Sequence, residues 1–170
     1  GLGAAEDAAK AASPRIDPAA TAAAERELLA FFENTGEDPY AIHHDLQESM
    51  QALVGIYRTR ADLEQAIGRL EELRARVARA RVTGSRLYNP GWHLAFDLRN
   101  LIDASEMVAR AALERCESRG AHSRLDFPKA DPAFGKVNVA IRRRDGGMEV
   151  VRAPLPGMPE ELRTLFEEKK

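Results

Sequence analysis

The sequence predicts a mainly α protein: an antiparallel three-helix bundle, spectrin-repeat-like in layout, followed by a small C-terminal β-hairpin. Three observations predict it. Apolar residues recur at steps of three and four over three long stretches, which puts them on one face of each of three helices. Asp17-Pro18 and Asp38-Pro39 are helix-start signals, an N-cap followed by a proline that is tolerated at the first helical position. After residue 120 the apolar period changes to two, and an Asp-Gly pair separates two short alternating runs.

The elements follow in chain order. Gly1-Leu2-Gly3 lacks Met and leads straight into Ala4-Ala5-Glu6-Asp7-Ala8-Ala9-Lys10, which reads as the back half of a helix over 3–12. Ser13-Pro14 stops it, because the residue before a proline is pushed out of the helical region. A second helix runs to about Glu33, and Gly36 is expected to close it in the left-handed conformation.

The first bundle helix carries Ile42, Leu46, Met50, Leu53, Val54 and Tyr57 on one face. The second, over 59–80, carries Leu63, Ile67, Leu70, Leu73 and Val77, with Arg and Glu on its solvated positions. Thr83-Gly84-Ser85 and Asn89-Pro90-Gly91 frame a loop. The third helix carries Leu94, Leu98, Leu101, Ile102, Val108, Ala112 and Cys116 and is expected to end near Gly120. Such stripes bury against one another, and near-heptad spacing predicts shallow crossing angles. Val137, Val139 and Ile141 mark one strand, Asp145-Gly146-Gly147 a turn, and 148–152 a second strand. Two strands alone are marginal in water, so the hairpin must pack on the bundle or on another domain. A short charged helix over 160–169 closes the chain.

Composition narrows the function classes. With a net charge of -2, no broad field recruits nucleic acid, and Arg142-Arg143-Arg144 reads as a solvated strand end. A lone cysteine, Cys116, can form neither an internal disulfide nor a Cys-based zinc site, and reads as a small core residue. No apolar run reaches the ~20 residues of a membrane span, so no direct membrane insertion is expected. Adjacent helix positions point about 100° apart, so His43 and His44 cannot share a metal. His44 with Glu48 supplies only two ligands. His93 reads as helping to start the third helix. There is no Gly-rich phosphate loop, dinucleotide fingerprint or nucleophile signature. No catalytic, cofactor-binding or metal residue is therefore expected in this chain.

The densest polar run is Glu117-Ser118-Arg119-Gly120-Ala121-His122-Ser123-Arg124-Leu125-Asp126-Phe127-Pro128. Arg119 and His122 are expected at the negative end of the third helix, and Gly120 supplies a positive φ. Extended chain beyond it puts His122 and Arg124 on one side and Ser123 and Leu125 on the other. His122 and Arg124 together can grip a carboxylate or a phosphate; capping and ion pairing between elements is the competing reading.

This run resembles the C-terminal signature of the succinate dehydrogenase and fumarate reductase flavoprotein family, E-S-R-G-A-H, two positions, then acidic-acidic-aromatic-proline. Glu117 through His122 match, as do Arg124, Asp126, Phe127 and Pro128; Leu125 stands where the family usually carries Glu. Asp45-Leu46-Gln47-Glu48-Ser49-Met50 and Val54-Gly55-Ile56-Tyr57-Arg58 are similar to the pattern that opens the family's helical domain, which Leu63, Ala66, Ile67, Leu70 and Leu73 continue. Leu98-Arg99-Asn100-Leu101-Ile102 and Ala111-Ala112-Leu113 look like its next helix. Residues 1–11 resemble the last helix of the flavin domain.

The resemblance implies three segments: 1–13 as a remnant of the flavin domain's last helix, 14–120 as the bundle, and 121–170 as signature loop, hairpin and tail. It implies a parent subunit that interconverts succinate and fumarate on FAD. That subunit passes electrons to an iron–sulfur subunit and on to quinone through a membrane anchor. Flavin- and substrate-binding residues of the family lie upstream and map to none here, so FAD belongs to the parent. The implied partners are the flavin-binding domain of the same subunit and the iron–sulfur subunit. The implied location is cytoplasmic, with the complex peripheral on the membrane. Glu117, Arg119, Gly120, His122, Arg124 and Asp126 become the signature and docking residues. Arg119, His122 and Arg124 are expected to pair with carboxylates or carbonyls of the flavin domain, because the cluster has few evident partners within the chain. The same resemblance allows a homodimer of the isolated chain through the face the flavin domain would cover. Competing readings are a free-standing helical adaptor and the same domain from an aspartate oxidase-like or adenylylsulfate reductase-like flavoprotein.

Overall fold

The computed structural model describes residues 2–11 and 16–162. In chain order it contains α1 (Leu2–Lys10), α2 (Pro18–Glu33), α3 (Pro39–Leu53), β1 (Tyr57–Arg58), α4 (Arg60–Val77), α5 (Pro90–Glu114), β2 (Ser123–Arg124), a 3-10 turn (Phe134–Lys136), β3 (Val137–Arg144) and β4 (Gly147–Pro154).

Asx-Pro pairs start three of these helices. The N–H of Ala19 donates to Asp17 at 2.9 Å, that of Tyr40 to Asp38 at 2.8 Å, and that of Trp92 to Asn89 at 3.1 Å. Each bond satisfies one of the donors a helix start leaves open. Thr59 begins α4 differently, accepting from the Asp62 N–H at 3.1 Å while its hydroxyl donates to the Asp62 carboxylate at 2.6 Å.

Helices α3, α4 and α5 form the antiparallel bundle. Ile42, Leu63, Leu73, Leu98 and Ile102 have no exposed surface, and Ala66, Ala95 and Ala109 let the helices approach closely. The end of α2 joins this core through Phe31; nearby, the Trp92 indole donates to Leu28 O at 2.8 Å and stacks edge-on against Phe32. The described residues of α1 are exposed along its length. The hairpin pairs from Val137↔Pro154 to Arg144↔Gly147 and packs on α5. Its turn residues Asp145 and Gly146 both have positive φ (50° and 82°), the type I′ geometry that matches strand twist. Phe134 lies between the guanidinium groups of Arg115 and Arg152, 5.3 and 4.6 Å from its ring centre. Among the described residues no helix is long and apolar enough to cross a membrane.

Several boundaries differ from the expectation. Gly36 is not a left-handed cap. Its N–H donates to Arg79 O at 3.0 Å, and an added Cβ would lie 2.1 Å from that oxygen, so glycine is needed for close approach. The cap of α2 is the extended Asn34, whose amide donates to Ala78 O and Ala80 O. Tyr57 leaves the helical face: α3 ends at Leu53, and the chain turns at Gly55, where a Cβ would meet Gln51 O at 2.8 Å. Helix α5 begins at Pro90, four residues before its first expected apolar position, and ends at Glu114 well before Gly120. Cys116 therefore lies beyond the helix, half-buried. Of the expected C-terminal helix, residues 160–162 are helical and the rest lies outside the described residues, as does the stop at Ser13-Pro14.

Two glycines give opposite outcomes. Gly36→Ala should destabilise the fold by about 1–3 kcal/mol, since backbone must move to admit the methyl. Gly68→Ala, mid-helix in α4 with nothing within 4 Å of the new atom, should stabilise by about 0.5–1 kcal/mol. Urea denaturation of both variants checks the signs.

Candidate functional site

The polar run over 117–128 folds against the ends of three helices. After α3 stops, β1 pairs in parallel with β2: the Ser123 N–H donates to Ile56 O at 3.2 Å and the Leu125 N–H to Arg58 O at 2.9 Å. This register turns Arg124 inward, with no exposed surface, and leaves Leu125 outside, 61% exposed.

Arg124 uses its whole guanidinium inside the chain. Nε and Nη2 each donate to the Asp126 carboxylate at 2.8 Å. Nη1 donates to Ala112 O, Leu113 O and Arg115 O at 2.9, 3.2 and 3.3 Å, the open carbonyls at the end of α5. The ring of Phe127 lies 4.9 Å away. Asp126 in turn accepts the Arg60 N–H at 3.0 Å, at the first turn of α4. Thus a cation sits at a negative helix end and an anion at a positive one, both favourable. The Arg124 hydrogen bonds hold the Asp126 pKa down to about 2, against the opposing effect of burial and with help from the Arg60 N–H.

Glu117 anchors a second clamp and has no exposed surface. Arg119 donates to it through Nε and Nη2, both at 2.9 Å. Arg115 Nη1 and the Asp131 N–H (2.8 Å) complete its shell. The Arg119 bonds, opposed by burial and reinforced by the Asp131 N–H and Arg115, bring the Glu117 pKa to about 2. Gly120 does have a positive φ, 58°, but it serves the tight turn in which Arg119 and His122 exchange backbone hydrogen bonds at 2.8 and 3.1 Å. The Ser118 hydroxyl accepts the Arg124 N–H at 2.9 Å and faces the carbonyls of Phe127 and Arg124.

The partners of His122 set its tautomer. Nε2 lies 3.0 Å from Arg115 O and Nδ1 lies 2.8 Å from Arg58 Nη1. A carbonyl only accepts and a guanidinium only donates, so the ring is neutral with its hydrogen on Nε2. Burial depresses its pKa, and the cations of Arg58, Arg124 and Arg115 push the same way; the Arg115 carbonyl opposes them.

The expectation that Arg119, His122 and Arg124 have few partners within the chain does not hold. Helix-end carbonyls and Glu117, Asp126 and Arg58 engage all three. The partners that sequence reasoning missed are Arg58, Arg60, Arg115 and Asp131. Only the spacing of Glu117 to Arg119 and Arg124 to Asp126, both two apart in extended chain, signalled the pairs. Among the described residues no buried side-chain nitrogen or oxygen lacks a hydrogen-bond partner. Nor does any group of three ligating side chains fit a metal ion. His44 meets Glu48 at 3.4 Å on an exposed helix face. The arrangement at 117–128 ties the start of α4 to the end of α5.

A family model described as the fumarate reductase flavoprotein C-term matches residues 43–163. The succinate dehydrogenase flavoprotein subunit of Coxiella burnetii is 36% identical over 101 residues, 59% of this chain and 17% of that protein. The fumarate reductase flavoprotein subunit of Haemophilus influenzae is 30% identical over 131 residues, 75% of this chain and 22% of that protein. The chain thus spans only 17% to 22% of the length of these curated relatives. Among solved structures, Mycobacterium smegmatis Sdh1 in complex with UQ1 superposes with a TM-score of 0.89 at 41% identity, covering 98% of this chain and 29% of that one.

Two outcomes test the clamp. Arg124→Ala takes the guanidinium away from Asp126, which keeps the Arg60 N–H, and from the α5 carbonyls, and should cost about 1–3 kcal/mol in urea denaturation. Because the folded-state pKa of His122 is depressed, its contribution is present above about pH 6.5 and is lost as pH falls through the folded value. Urea midpoints of the native chain should therefore fall as pH is lowered below that point, and His122→Gln should remove its share of that slope.

Proposed function

The chain belongs to the fumarate reductase flavoprotein C-terminal family, and from that premise we propose that it is the docking domain of a larger subunit that interconverts succinate and fumarate on FAD. The parent hands electrons to an iron–sulfur subunit and associates with the membrane through partner subunits, on the cytoplasmic side. In this reading residues 1–13 belong to the flavin-bearing part, 14–120 form the bundle, and 121–170 carry the loop, hairpin and tail.

The observation that supports this reading is the state of the loop over 117–128. It lies inside the matched segment, and its acids, arginines and histidine are engaged in holding helix ends. An acid or base for succinate chemistry must be poised beside substrate, which a side chain locked between a carbonyl and a guanidinium is not.

FAD supplies the hydride acceptor when bound. The described residues do not fit it: they include no Gly-rich turn to approach a pyrophosphate, and every buried polar side-chain atom among them is already partnered. The flavin is therefore assigned to the rest of the parent. The contribution of this chain is shape: Arg124, Asp126 and Glu117 hold the start of α4 against the end of α5, and so fix the surface the domain offers.

The expected outcome is that the full-length subunit purifies with flavin and oxidises succinate with an artificial acceptor. The 170-residue chain, titrated with FAD, should leave flavin fluorescence unchanged and show no turnover. Tight flavin binding or turnover by the chain alone would overturn the docking reading. Turnover of aspartate or adenylylsulfate by the parent, in place of succinate, would move the domain to a related flavoprotein.

A further inference from the structure

Four guanidinium groups crowd the signature segment, and they are not alike. Arg115 and Arg119 share the Glu117 carboxylate, and Arg124 holds Asp126. Arg58 differs. Among the described residues no carboxylate pairs with it, and its side chain donates to Gly55 O and to Nδ1 of His122. A half-buried cation that leans on a neutral ring depends on that ring staying neutral.

His122 ties this corner together. Its backbone exchanges hydrogen bonds with Arg119, its Nε2–H reaches the Arg115 carbonyl, and its Nδ1 lone pair takes the Arg58 N–H from β1. The charged groups that bear on the ring are Arg58 of β1, Arg124 of β2 and Arg115 at the end of α5, all cations. On the hairpin side it shares a groove with Arg119 and with the uncharged Phe134, Val137 and Asn138. The carboxylates of the segment, Glu117 and Asp126, are already held by Arg115, Arg119 and Arg124.

A proton arriving from solvent has one place to go on this ring, Nδ1, since Nε2 already carries its hydrogen. The imidazolium then points an N–H at an N–H across 2.8 Å. Neither group accepts, and two positive charges face each other. Nε2 keeps its carbonyl, so the ring stays and Arg58 leaves. Strand β1 leans on the same place: its Ile56 and Arg58 carbonyls accept the Ser123 and Leu125 N–H groups, and the pairing is two residues long.

The two clamps titrate elsewhere. The Arg124 hydrogen bonds bring Asp126 to a pKa of about 2, and those of Arg119 bring Glu117 to about 2, in both cases against burial. His122 takes its proton below its ordinary 6.5, burial being the largest cause. Between these values the ring is charged while both carboxylates remain ionised.

We propose that His122 is an acid-sensitive latch at the corner where α3 gives way to α4: on gaining a proton it releases Arg58 and the β1–β2 pair, while the Arg124–Asp126 and Glu117–Arg119 clamps stay closed. The corner opens without unfolding the bundle, and its exposed Ile56, Tyr57 and Leu125 are freed to move. The closed latch holds the neutral ring. Closure is therefore fully favoured above about pH 6.5 and is lost as pH falls through the closed-state value. Each unit of depression corresponds to about a tenfold shift toward the open corner.

Nuclear magnetic resonance of the 170-residue chain, carried from about pH 8 down to about pH 4, tests this. Ring nitrogen shifts should show the Nε2–H tautomer at the high end and a protonation step below 6.5. Through that step, amide protection at Ser123 and Leu125, corrected for the pH dependence of exchange itself, should fall about tenfold per unit of depression. The Nε–H signals of Arg124 and Arg119, which donate to Asp126 and Glu117, should stay in place. His122→Gln keeps an acceptor for Arg58 and a donor for the carbonyl without a titrating group, so its protection should persist to the acid end. Arg58→Met removes the opposing cation, so the His122 midpoint should rise toward 6.5. A native midpoint at or above 6.5 would overturn the latch. So would a depressed midpoint with Ser123 and Leu125 unmoved, or one that Arg58→Met leaves unchanged. Loss of the Arg124 and Arg119 signals at the same pH would mean that the whole segment opens at once, and the proposal falls with it.

Discussion

The ion pair between Arg124 and Asp126 is the constraint on which the rest of the domain depends. Its two charges stand at opposite poles of neighbouring helices, the carboxylate on the first turn of α4 and the guanidinium over the last carbonyls of α5. Arg124 is buried and Asp126 is partly exposed, and such a pair by itself is weak evidence of stability, because desolvation offsets much of the attraction. Here each partner also satisfies backbone groups that no other part of a helix can satisfy. The pair ties the start of α4 to the end of α5, and the second clamp, Glu117 with Arg119 and Arg115, decides where the chain goes next.

Both clamps use one device. Glu117 and Arg119 are two positions apart, as are Arg124 and Asp126, so each pair shares a side of locally extended chain. Between them Gly120 reverses direction, and His122 bridges Arg58 to the α5 carbonyl of Arg115. The result is a short, irregular segment that is more fully hydrogen-bonded than its appearance as a loop suggests. The neutral imidazole and two strongly acidic carboxyl groups follow from that crowding of arginines.

Much of the fold was legible in the sequence because most stripe positions are buried, although Leu101 and Val108, expected on the buried face of α5, are 39% and 49% exposed. Ile42, Leu46, Leu63, Leu70, Leu73, Leu98 and Ile102 are where periodicity puts them, and Asp145-Gly146 turns the hairpin. Helix ends were less legible: α3 turns off at Gly55, inside what periodicity reads as one stripe, and the last carbonyls of α5 are taken by Arg124 from beyond the helix. Asn89-Pro90 carries the same start signal as Asp17-Pro18 and Asp38-Pro39, but the neighbouring Gly91 masked it. Gly36 is explained only by the Arg79 carbonyl above it. The signature residues were legible as a cluster; their partners were not, because half of them are backbone carbonyls and amides that no residue pattern displays.

The short parallel pairing of β1 with β2 has a consequence for how the chain assembles. Arg60 and Asp126 are 66 positions apart, while the contacts between α3 and α4 span only a short connection. Local contacts form early, and long loops close late because their closure entropy comes first. During synthesis the α3–α4 pair is therefore available well before the segment that fastens its junction has left the ribosome. The signature segment thus joins the start of α4 to the end of α5 only after both helices have been made.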